Sequence, residues 1–336
     1  MSERHRLLES IAKITSDYRT GEVAAPSPEH VERWVAQFDP KVRDPLLAEM
    51  EHVLRRSYLS RKTVTTFLGK QVMNNKLAGA SPCAFWKAAH FLRIQKNGHS
   101  QEEMLDLFAD CLKSQCSIDL ADCGSAEGAY IYLDDASFSG SRMGSDLEEW
   151  ILTKAPKKAT VHVLVIAVHA LGEFLATNRL DKAADRAGKK IDFHIWRAIT
   201  IENRKAYRHS SEVLWPVSLP RNKDVQAYAD EEDRYPFEPR TAIPTSTQTF
   251  FTSEAGRQLL EREMLLAGVR IRSMSANPKK IMRPLGFSAF GLGFGSMIVT
   301  FRNCPNNCPL ALWWGDPDST SEGPLNWYPL FPRKTY

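Results

Sequence analysis

One 14-residue segment constrains the fold of this chain more than any other. It reads Ala129-Tyr-Ile-Tyr-Leu-Asp-Asp-Ala-Ser-Phe-Ser-Gly-Ser-Arg142, an apolar run that ends in two adjacent carboxylates, Asp134 and Asp135. A short loop rich in hydroxyl groups follows, and apolar residues at helical spacing then extend from 143 to 152. The segment predicts a strand, a loop and a helix, with the two carboxylates at the edge of an active site.

The loop has the composition of an anion-binding site. At the start of a helix, free backbone N–H groups and the helix dipole favour an anion, and serine hydroxyls can donate further hydrogen bonds. Glycine in such a loop permits close approach of the backbone. The residues that we expect to bind a phosphate group are Ser137, Ser139, Gly140, Ser141 and Arg142.

Two common phosphate-binding motifs are excluded. A P-loop needs a lysine after its glycines, and the dinucleotide fingerprint needs three glycines, whereas this segment has neither. The plainest alternative is an ordinary strand that ends in a solvated Asp-Asp turn, followed by a Ser-Gly helix cap. Helix caps rarely combine three serines, a glycine and two acids, so we favour a ligand site.

The segment resembles the signature of type I phosphoribosyltransferases, in which a hydrophobic strand precedes an acidic pair and a Ser/Thr-Gly-x-Ser/Thr loop. Asp134 and Asp135 match the acidic pair, and residues 139–141 match the loop. The resemblance implies that the acidic pair binds the ribose 2- and 3-hydroxyls of phosphoribosyl diphosphate and that the loop binds its 5-phosphate. Phe138 departs from the pattern, because purine-using members commonly have an acidic or hydroxyl residue at this position.

The fold class that we expect is α/β, a parallel-sheet type I phosphoribosyltransferase-like domain with an N-terminal helical extension and C-terminal additions. We place the helical region at residues 1–118 and the α/β domain at residues 119–336, with a long Pro-rich insertion at about 210–249. Strands are expected at Tyr130–Leu133, Thr160–His169, Ile191–Thr200 and Met297–Phe301, and helices at Glu29–Phe38 after Ser27, at Glu173–Ala187, and from Thr252 or Ser253 to Ala267.

Composition leaves the partner open. The chain has 336 residues, is 43% apolar and 25% charged, and carries a net charge of +4, which permits contact with nucleic acid without requiring it. The charged N-terminus is not followed by an apolar stretch, and the most apolar run, Val161 to Leu171, is too short to cross a membrane. We therefore expect a cytoplasmic protein with no membrane partner.

The six cysteines lack the density of a secreted disulfide framework, so we expect reduced thiols. Cys304 and Cys308 have no second Cys/His pair near them in the sequence, and we interpret them as loop thiols rather than half of a zinc site.

Residues outside the Asp-Asp segment are weaker candidates. His169 and Glu202 are expected at the ends of later strands, but a histidine that finishes a buried strand is more often structural. Trp215 is either a stacking platform or a core residue, and we favour the core, as for Trp34 and Phe38. The sequence assigns neither an acceptor pocket nor a loop for the diphosphate.

Phosphoribosyl transfer passes through an oxocarbenium-like sugar with a leaving diphosphate, so it requires charge stabilisation in a closed site. We expect Asp134 and Asp135 to be the catalytic residues, and to bind Mg²⁺ through the ribose hydroxyls or a water molecule, because this ion prefers oxygen ligands and keeps several waters. The cofactor implied is therefore Mg²⁺, and the ligand is phosphoribosyl diphosphate or a nucleotide.

A wider resemblance concerns phosphoribosyltransferase-like proteins of bacterial conflict systems, including retron-associated antiphage modules. Its residues are the Trp34 to Phe38 segment, the Asp-Asp loop and Pro305-Asn-Asn followed by Leu312-Trp-Trp. It implies a toxin or effector restrained by a reverse transcriptase with its nucleic acid, or by another protein of a defence operon. The alternatives are an inactive nucleotide-sensing module, an N-glycosidase-type toxin that degrades nucleotides, and a purely structural protein.

Overall fold

The computed structural model describes residues 2–96, 98–231, 236–242, 250–289, 291–319, 323 and 325–333. The helices are α1 (Glu3–Ile14), α2 (Pro28–Val35), α3 (Arg43–Ser57), α4 (Arg61–Val72), α5 (Asn75–Ala78), α6 (Pro82–Ala88), α7 (Ser100–Cys116), α8 (Ser141–Thr153), α9 (Ala170–Ala187), α10 (Lys223–Asp230), α11 (Glu254–Ser273) and α12 (Leu310–Trp313). The strands are β1 (Tyr58–Leu59), β2 (His90–Phe91), β3 (Tyr130–Ser137), β4 (Lys158–His169), β5 (Lys190–Trp196), β6 (Ile199–Ile201) and β7 (Val299–Thr300), and 3-10 helices span Leu120–Asp122 and Lys205–Ser210.

The chain forms two compact units, one of Arg61–Asn203 and one of Met1–Ser60 with Arg204–Tyr336. This division differs from the boundary predicted between residues 118 and 119. The physical reason is that α4 and α7 pack with the sheet that begins at β2, so half of the predicted helical region belongs to the sheet unit. Part of the predicted Pro-rich insertion, at 232–235 and 243–249, lies outside the described residues.

The sheet unit contains a five-stranded parallel sheet in the order β2-β3-β4-β5, with β6 also paired to β4. β5 pairs with the first half of β4, from Lys158 to Leu164, and β6 pairs with its last three residues, from Ala167 to His169. The single strand predicted at Ile191–Thr200 is therefore two strands in line. The predicted α/β class with a parallel sheet is confirmed.

Helices cover both faces of β3 and β4, as expected for a parallel sheet. On one face, α8 and α9 pack on alternate strand residues, such as Tyr132 and Val163, to form the main apolar core. On the other face, the α6 ring of Phe85 contacts His162, and Trp86 of α6 and Phe108 of α7 contact Phe91. The carboxyl ends of β3 and β4 thus lie at one edge of a rigid layered structure.

The expectation of reduced thiols is wrong for one pair. Cys83 of α6 and Cys116 at the end of α7 form a disulfide with their Cα atoms 5.4 Å apart. Sequence spacing could not reveal it, because the two cysteines are 33 positions apart and the chain between them folds back through β2 and α7. Cys304 and Cys308 are free and fully buried, and burial raises the pKa of Cys308 well above its usual value.

In the other unit, α11 is buried along most of its length and α1, α2 and α3 pack together. Trp34 and Phe38 belong to this core, as predicted, and the Trp34 indole donates to the carbonyl of Ala311 at 2.9 Å. Ser27 caps α2 by accepting the N–H of His30 at 3.2 Å, and Ser253 caps α11 in the same way, also as predicted. Of the helices that the structure describes, none is long and apolar enough to span a membrane.

Candidate functional site

Asp134 and Asp135 lie near the carboxyl end of β3, where the strand extends beyond its neighbour β2. β2 pairs only with Tyr130 and Ile131. Each carboxylate accepts the backbone N–H of the next residue: Asp134 Oδ1 from Asp135 at 2.9 Å, and Asp135 Oδ1 from Ala136 at 2.8 Å. Buried backbone donors need partners, so the acidic pair also stabilises the strand end.

Asp134 is the more deeply buried of the pair, with 7% of its surface exposed, and Asp135 is half-buried. Burial raises the pKa of the Asp134 carboxyl to about 7, and the negative charge of Asp135 acts in the same direction. The hydrogen bond from the Asp135 N–H, the nearby Ser100 side chain and the charge of Arg142 oppose this rise. The site therefore holds a carboxylate that a positive charge or a hydrogen-bond donor from a ligand would stabilise.

The loop after β3 is pressed against α9 at two glycines. Gly140 has φ +69°, and a Cβ atom at this position would clash with the carbonyl oxygen of Gly172. A Cβ atom on Gly172 would in turn clash with the carbonyl oxygen of Phe138. Only glycine fits at both positions, so the loop has a fixed shape rather than a flexible one.

The loop leads directly into α8, which begins at Ser141. Gly140 provides no side-chain cap, and the hydroxyl of Ser139 lies 3.4 Å from the Ser141 backbone nitrogen. Ser139, Ser141 and Arg142 are exposed, whereas Ser137 is buried and its hydroxyl has no hydrogen-bond partner among the described residues. Such an orphaned hydroxyl costs free energy. A helix start next to an orphaned buried hydroxyl fits a bound oxyanion.

Arg142 adds positive charge at the same place. Its guanidinium lies beside Gly98, in the segment that connects β2 to α7. Burial raises the pKa of Asp134 and of Asp146, and the charge of Arg142 opposes this rise at both. Lys96 of the same segment forms an ion pair with Glu149. Sequence reasoning missed this segment, because the only signal for it is a two-residue strand inside an apparently helical region.

His169, at the end of β4, contacts the end of β3 and the loop that follows it. Its Nδ1 lies 3.2 Å from the carbonyl oxygen of Ser137, to which it donates, and its ring centroid is 5.0 Å from that of Phe138. Burial lowers the pKa of His169 to about 4, so the ring is neutral at pH 7. These contacts agree with the interpretation of His169 as a structural residue. The part of the structure that it stabilises is the loop after β3.

Two weaker candidates have other surroundings. Glu202 lies just beyond β6 and is half-buried. Trp215 lies in the other unit, where its indole donates to the carbonyl of Glu238 at 2.8 Å and its backbone N–H donates to Glu261 at 2.9 Å. These bonds account for Trp215 as a structural residue.

The acidic pair fits a Mg²⁺ ion that shares its coordination with a ligand. No cluster of three His, Cys, Asp or Glu side chains suited to a metal occurs within the described ranges, so a closed protein cage is absent from them. Mg²⁺ commonly binds through one or two carboxylates, with phosphate oxygens and waters completing its coordination. The residues that would hold it are Asp134 and Asp135, and their binding of Mg²⁺ stays a prediction.

One comparison with known proteins found a match to this chain. No curated protein and no solved structure matches the chain. The model of the family described as PRTase-CE matches residues 31–333, which include both carboxylates, the loop and most of each compact unit. The chain therefore belongs to the PRTase-CE family and is a phosphoribosyltransferase-like protein.

Proposed function

We propose that this protein binds phosphoribosyl diphosphate together with Mg²⁺ at the end of β3 and transfers or cleaves the ribosyl bond. One observation carries the proposal: an acidic pair, buried at Asp134 and half-buried at Asp135, lies just before the orphaned buried hydroxyl of Ser137 and a loop, shaped by glycines, that leads into a helix. A ribose 5-phosphate matches this order of groups, because its hydroxyls are donors for carboxylates and its phosphate is an acceptor for N–H and O–H groups.

Each residue has a separate part in this proposal. Asp134 and Asp135 accept hydrogen bonds from the ribose 2- and 3-hydroxyls and place negative charge near the sugar. The Ser137, Ser139 and Ser141 hydroxyls and the first N–H groups of α8 hold the 5-phosphate, so that the sugar is oriented before the bond to diphosphate breaks. Mg²⁺, when bound, would neutralise charge on the departing diphosphate.

A second candidate is a binding module that has lost turnover. Phe138 stands where purine-using type I phosphoribosyltransferases commonly have an acidic or hydroxyl residue, and its ring packs against His169. The phenylalanine side chain has no acidic proton, so it cannot protonate an acceptor base. Ligand would then bind without being consumed, and the protein would act as a sensor.

The test combines binding with turnover. Thermal unfolding is measured with and without phosphoribosyl diphosphate and Mg²⁺, and release of diphosphate is followed by ³¹P NMR with nucleobases or water as acceptor. Ligand at about 100 times its dissociation constant stabilises a protein by roughly 2.7 kcal/mol. Asp135→Asn should lose this stabilisation, and Asp192→Asn, which changes an exposed acid on β5, should keep it.

The outcomes separate the candidates. Stabilisation with diphosphate release to a nucleobase supports a transferase, and stabilisation with diphosphate release to water supports a hydrolase of phosphoribosyl diphosphate. Stabilisation without release supports the sensor, and an N-glycosidase-type enzyme would instead release a free base from a nucleotide. No stabilisation of the wild type would contradict both. Defence against phage rests on the sequence resemblance alone, and its test is whether Asp135→Asn abolishes toxicity or protection in cells that express the chain with its neighbouring genes.

A further inference from the structure

A cluster of exposed lysines lies at the amino ends of β4 and β5. Lys154 and Lys157 are in the loop between α8 and β4, and Lys158 and Lys190 are the first residues of the two strands. Lys158 and Lys190 are paired in the strand register, and the Lys190 N–H donates to the carbonyl of Lys157 at 2.8 Å. Within the described ranges, none of these four side chains has an acidic partner within 4 Å. The charges of this lysine cluster are therefore open to an anionic partner.

The stability of the sheet does not account for the lysine cluster. Like charges directly opposite each other on two strands are destabilising, and Lys158 with Lys190 is such a pair. A lysine on an edge strand hinders pairing with another chain, which explains Lys190 on the outer strand β5. It does not explain Lys158, because β4 lies between β3 and β5. A binding surface for an anion explains both.

The face of β5 that carries Lys190 continues with Asp192, His194 and Trp196, because alternate residues of a strand share a face. His194 is exposed, and its ring stacks on that of buried His162 of β4, with the centroids 5.2 Å apart and the planes at 22°. The indole N–H of Trp196 donates to His162 Nδ1 at 2.9 Å and so holds the inner ring of the stack. Since β5 is the outer strand, the other face of the His194 ring lies at the open edge of the sheet.

We propose that the lysine cluster and the His194 ring form a binding surface for single-stranded nucleic acid. Single strands are bound by positive charge along their phosphates together with rings on which unpaired bases stack. Lys190 and His194 are about 13 Å apart along the strand, so the phosphate and base contacts belong to different nucleotides. Asp192 lies between them, where its carboxylate disfavours a phosphate and can accept a hydrogen bond from a base amino group. A base within a duplex is already stacked and paired, so it cannot reach the ring.

This surface is separate from the proposed sugar site. The lysine cluster lies at the amino ends of parallel strands, whereas Asp134 and Asp135 lie near the carboxyl end of β3, at the opposite edge of the sheet. Nucleic acid bound to the lysines and His194 would leave the acidic pair open. The inference therefore does not rest on the proposed function, and the two can fail separately.

The test measures binding of fluorescein-labelled oligo(dT) to the full chain by fluorescence anisotropy at several salt concentrations. For single strands, the slope of log K against log salt changes by about 0.7 for each phosphate contact, so Lys158→Gln with Lys190→Gln should reduce it by about 1.4. The control is Lys13→Gln with Lys41→Gln, which removes two exposed lysines of the other compact unit and should leave the slope unchanged. His194→Ala should weaken binding roughly 5- to 150-fold through lost stacking, and His194→Phe, which keeps a ring, should recover most of it.

The same assay contains the results that overturn the inference. Equal losses in the two double variants would mean that the strand is attracted by net charge alone. Unchanged affinity in His194→Ala, tighter binding of a duplex than of oligo(dT), or no binding by the wild type would each overturn it as well. If His194→Ala unfolds in a thermal scan, His194→Phe decides: a folded variant that has lost binding contradicts the stacking.

Discussion

Two buried carboxylates, Glu261 in one unit and Asp134 in the other, are stabilised in different ways. Glu261 on α11 pairs with Arg240 and Arg257 at 2.9 Å each and accepts the N–H of Trp215. Burial raises the pKa of both carboxyls, but the arginines oppose the rise at Glu261, whereas the charge of Asp135 adds to it at Asp134.

The difference separates a carboxylate that is paired within the protein from one that is not. Glu261 has its counter-charges within the protein, and they fasten the residues around Trp215 to α11. Asp134 accepts the backbone N–H of Asp135 and has no ion pair within 4 Å in the part of the chain that the structure describes. A buried carboxylate in this condition favours any ligand that brings donors or a cation.

The largest expected effect comes from removing Glu261. Glu261→Gln leaves the buried guanidinium of Arg257 without its carboxylate and that of Arg240 with Glu254 alone, and breaking a buried pair in this way costs about 3–5 kcal/mol of unfolding free energy. Urea unfolding at pH 7 measures it. The control is Glu238→Gln, which removes an exposed partner of Lys205 and should leave stability unchanged. Equal effects of the two variants would contradict the assignment of Glu261 as a structural charge.

Acid should act on the sheet unit through His169. Its pKa is about 4 in the folded protein and about 6.5 in the unfolded chain, so acid protonates the unfolded form first. Its contribution to stability is complete above pH 6.5 and falls by about 3 kcal/mol as the pH decreases to 4. Urea unfolding at several pH values should show a shallower acid loss for His169→Gln. Identical slopes for wild type and variant would contradict this prediction.

The shape of the loop can be tested with two glycines that lie in helices. Gly172→Ala places a methyl group against the carbonyl oxygen of Phe138 and should destabilise by about 1–3 kcal/mol while it weakens ligand binding. In Gly144→Ala, the nearest atom to the new methyl group belongs to the flexible side chain of Arg179. Because alanine has a better helix propensity than glycine, this variant should maintain or raise stability. Calorimetric binding and thermal unfolding compare them, and equal behaviour would show that the loop is not pressed on α9.

The smallest expected effect is a gain in stability, which follows from removing the charge of Asp134. Because the pKa of Asp134 is raised to about 7, its ionised form destabilises the folded protein at pH 8, and this cost disappears as the pH falls through 7 towards 4. Asp134→Asn should therefore have a higher unfolding free energy than wild type at pH 8. The expected gain is about 1–2 kcal/mol, once the loss of a charge-assisted hydrogen bond is subtracted. The same variant should lose ligand-induced stabilisation. A variant less stable than wild type at pH 8 would place Asp134 with Glu261 as a structural charge.

Local patterns explain how much of the site could be predicted. The strand, the Asp-Asp pair, the loop and α8 follow one another in the sequence, and their chemistry is determined within 14 residues. His169 reaches the end of β3 only because β3 and β4 are adjacent, and strand order was not available from periodicity. Two residues of β2 are too few to show a strand pattern.

The same limit explains the other differences. The predicted strand at Ile191–Thr200 has continuous strand character, and its break at Arg197 and Ala198 depends on the register with β4. The strand predicted at Met297–Phe301 is shorter, Val299–Thr300, because only these residues pair with β1. The pairing of Cys83 with Cys116 likewise required the positions of α6 and α7 in space.

That disulfide has a consequence for the segment that connects β2 to α7. Cys83 and Cys116 close a covalent ring of the chain that contains β2, Gln95, Ser100 and Gln101. Closing a ring of this size removes about 4 kcal/mol of chain entropy from the unfolded state. In the oxidised protein, the segment that connects β2 to α7, which lies beside Arg142, is therefore part of a tethered stretch whose ends cannot separate. Reduction would release this tether, and the ordering of this segment would then depend on the redox state of the solution around it.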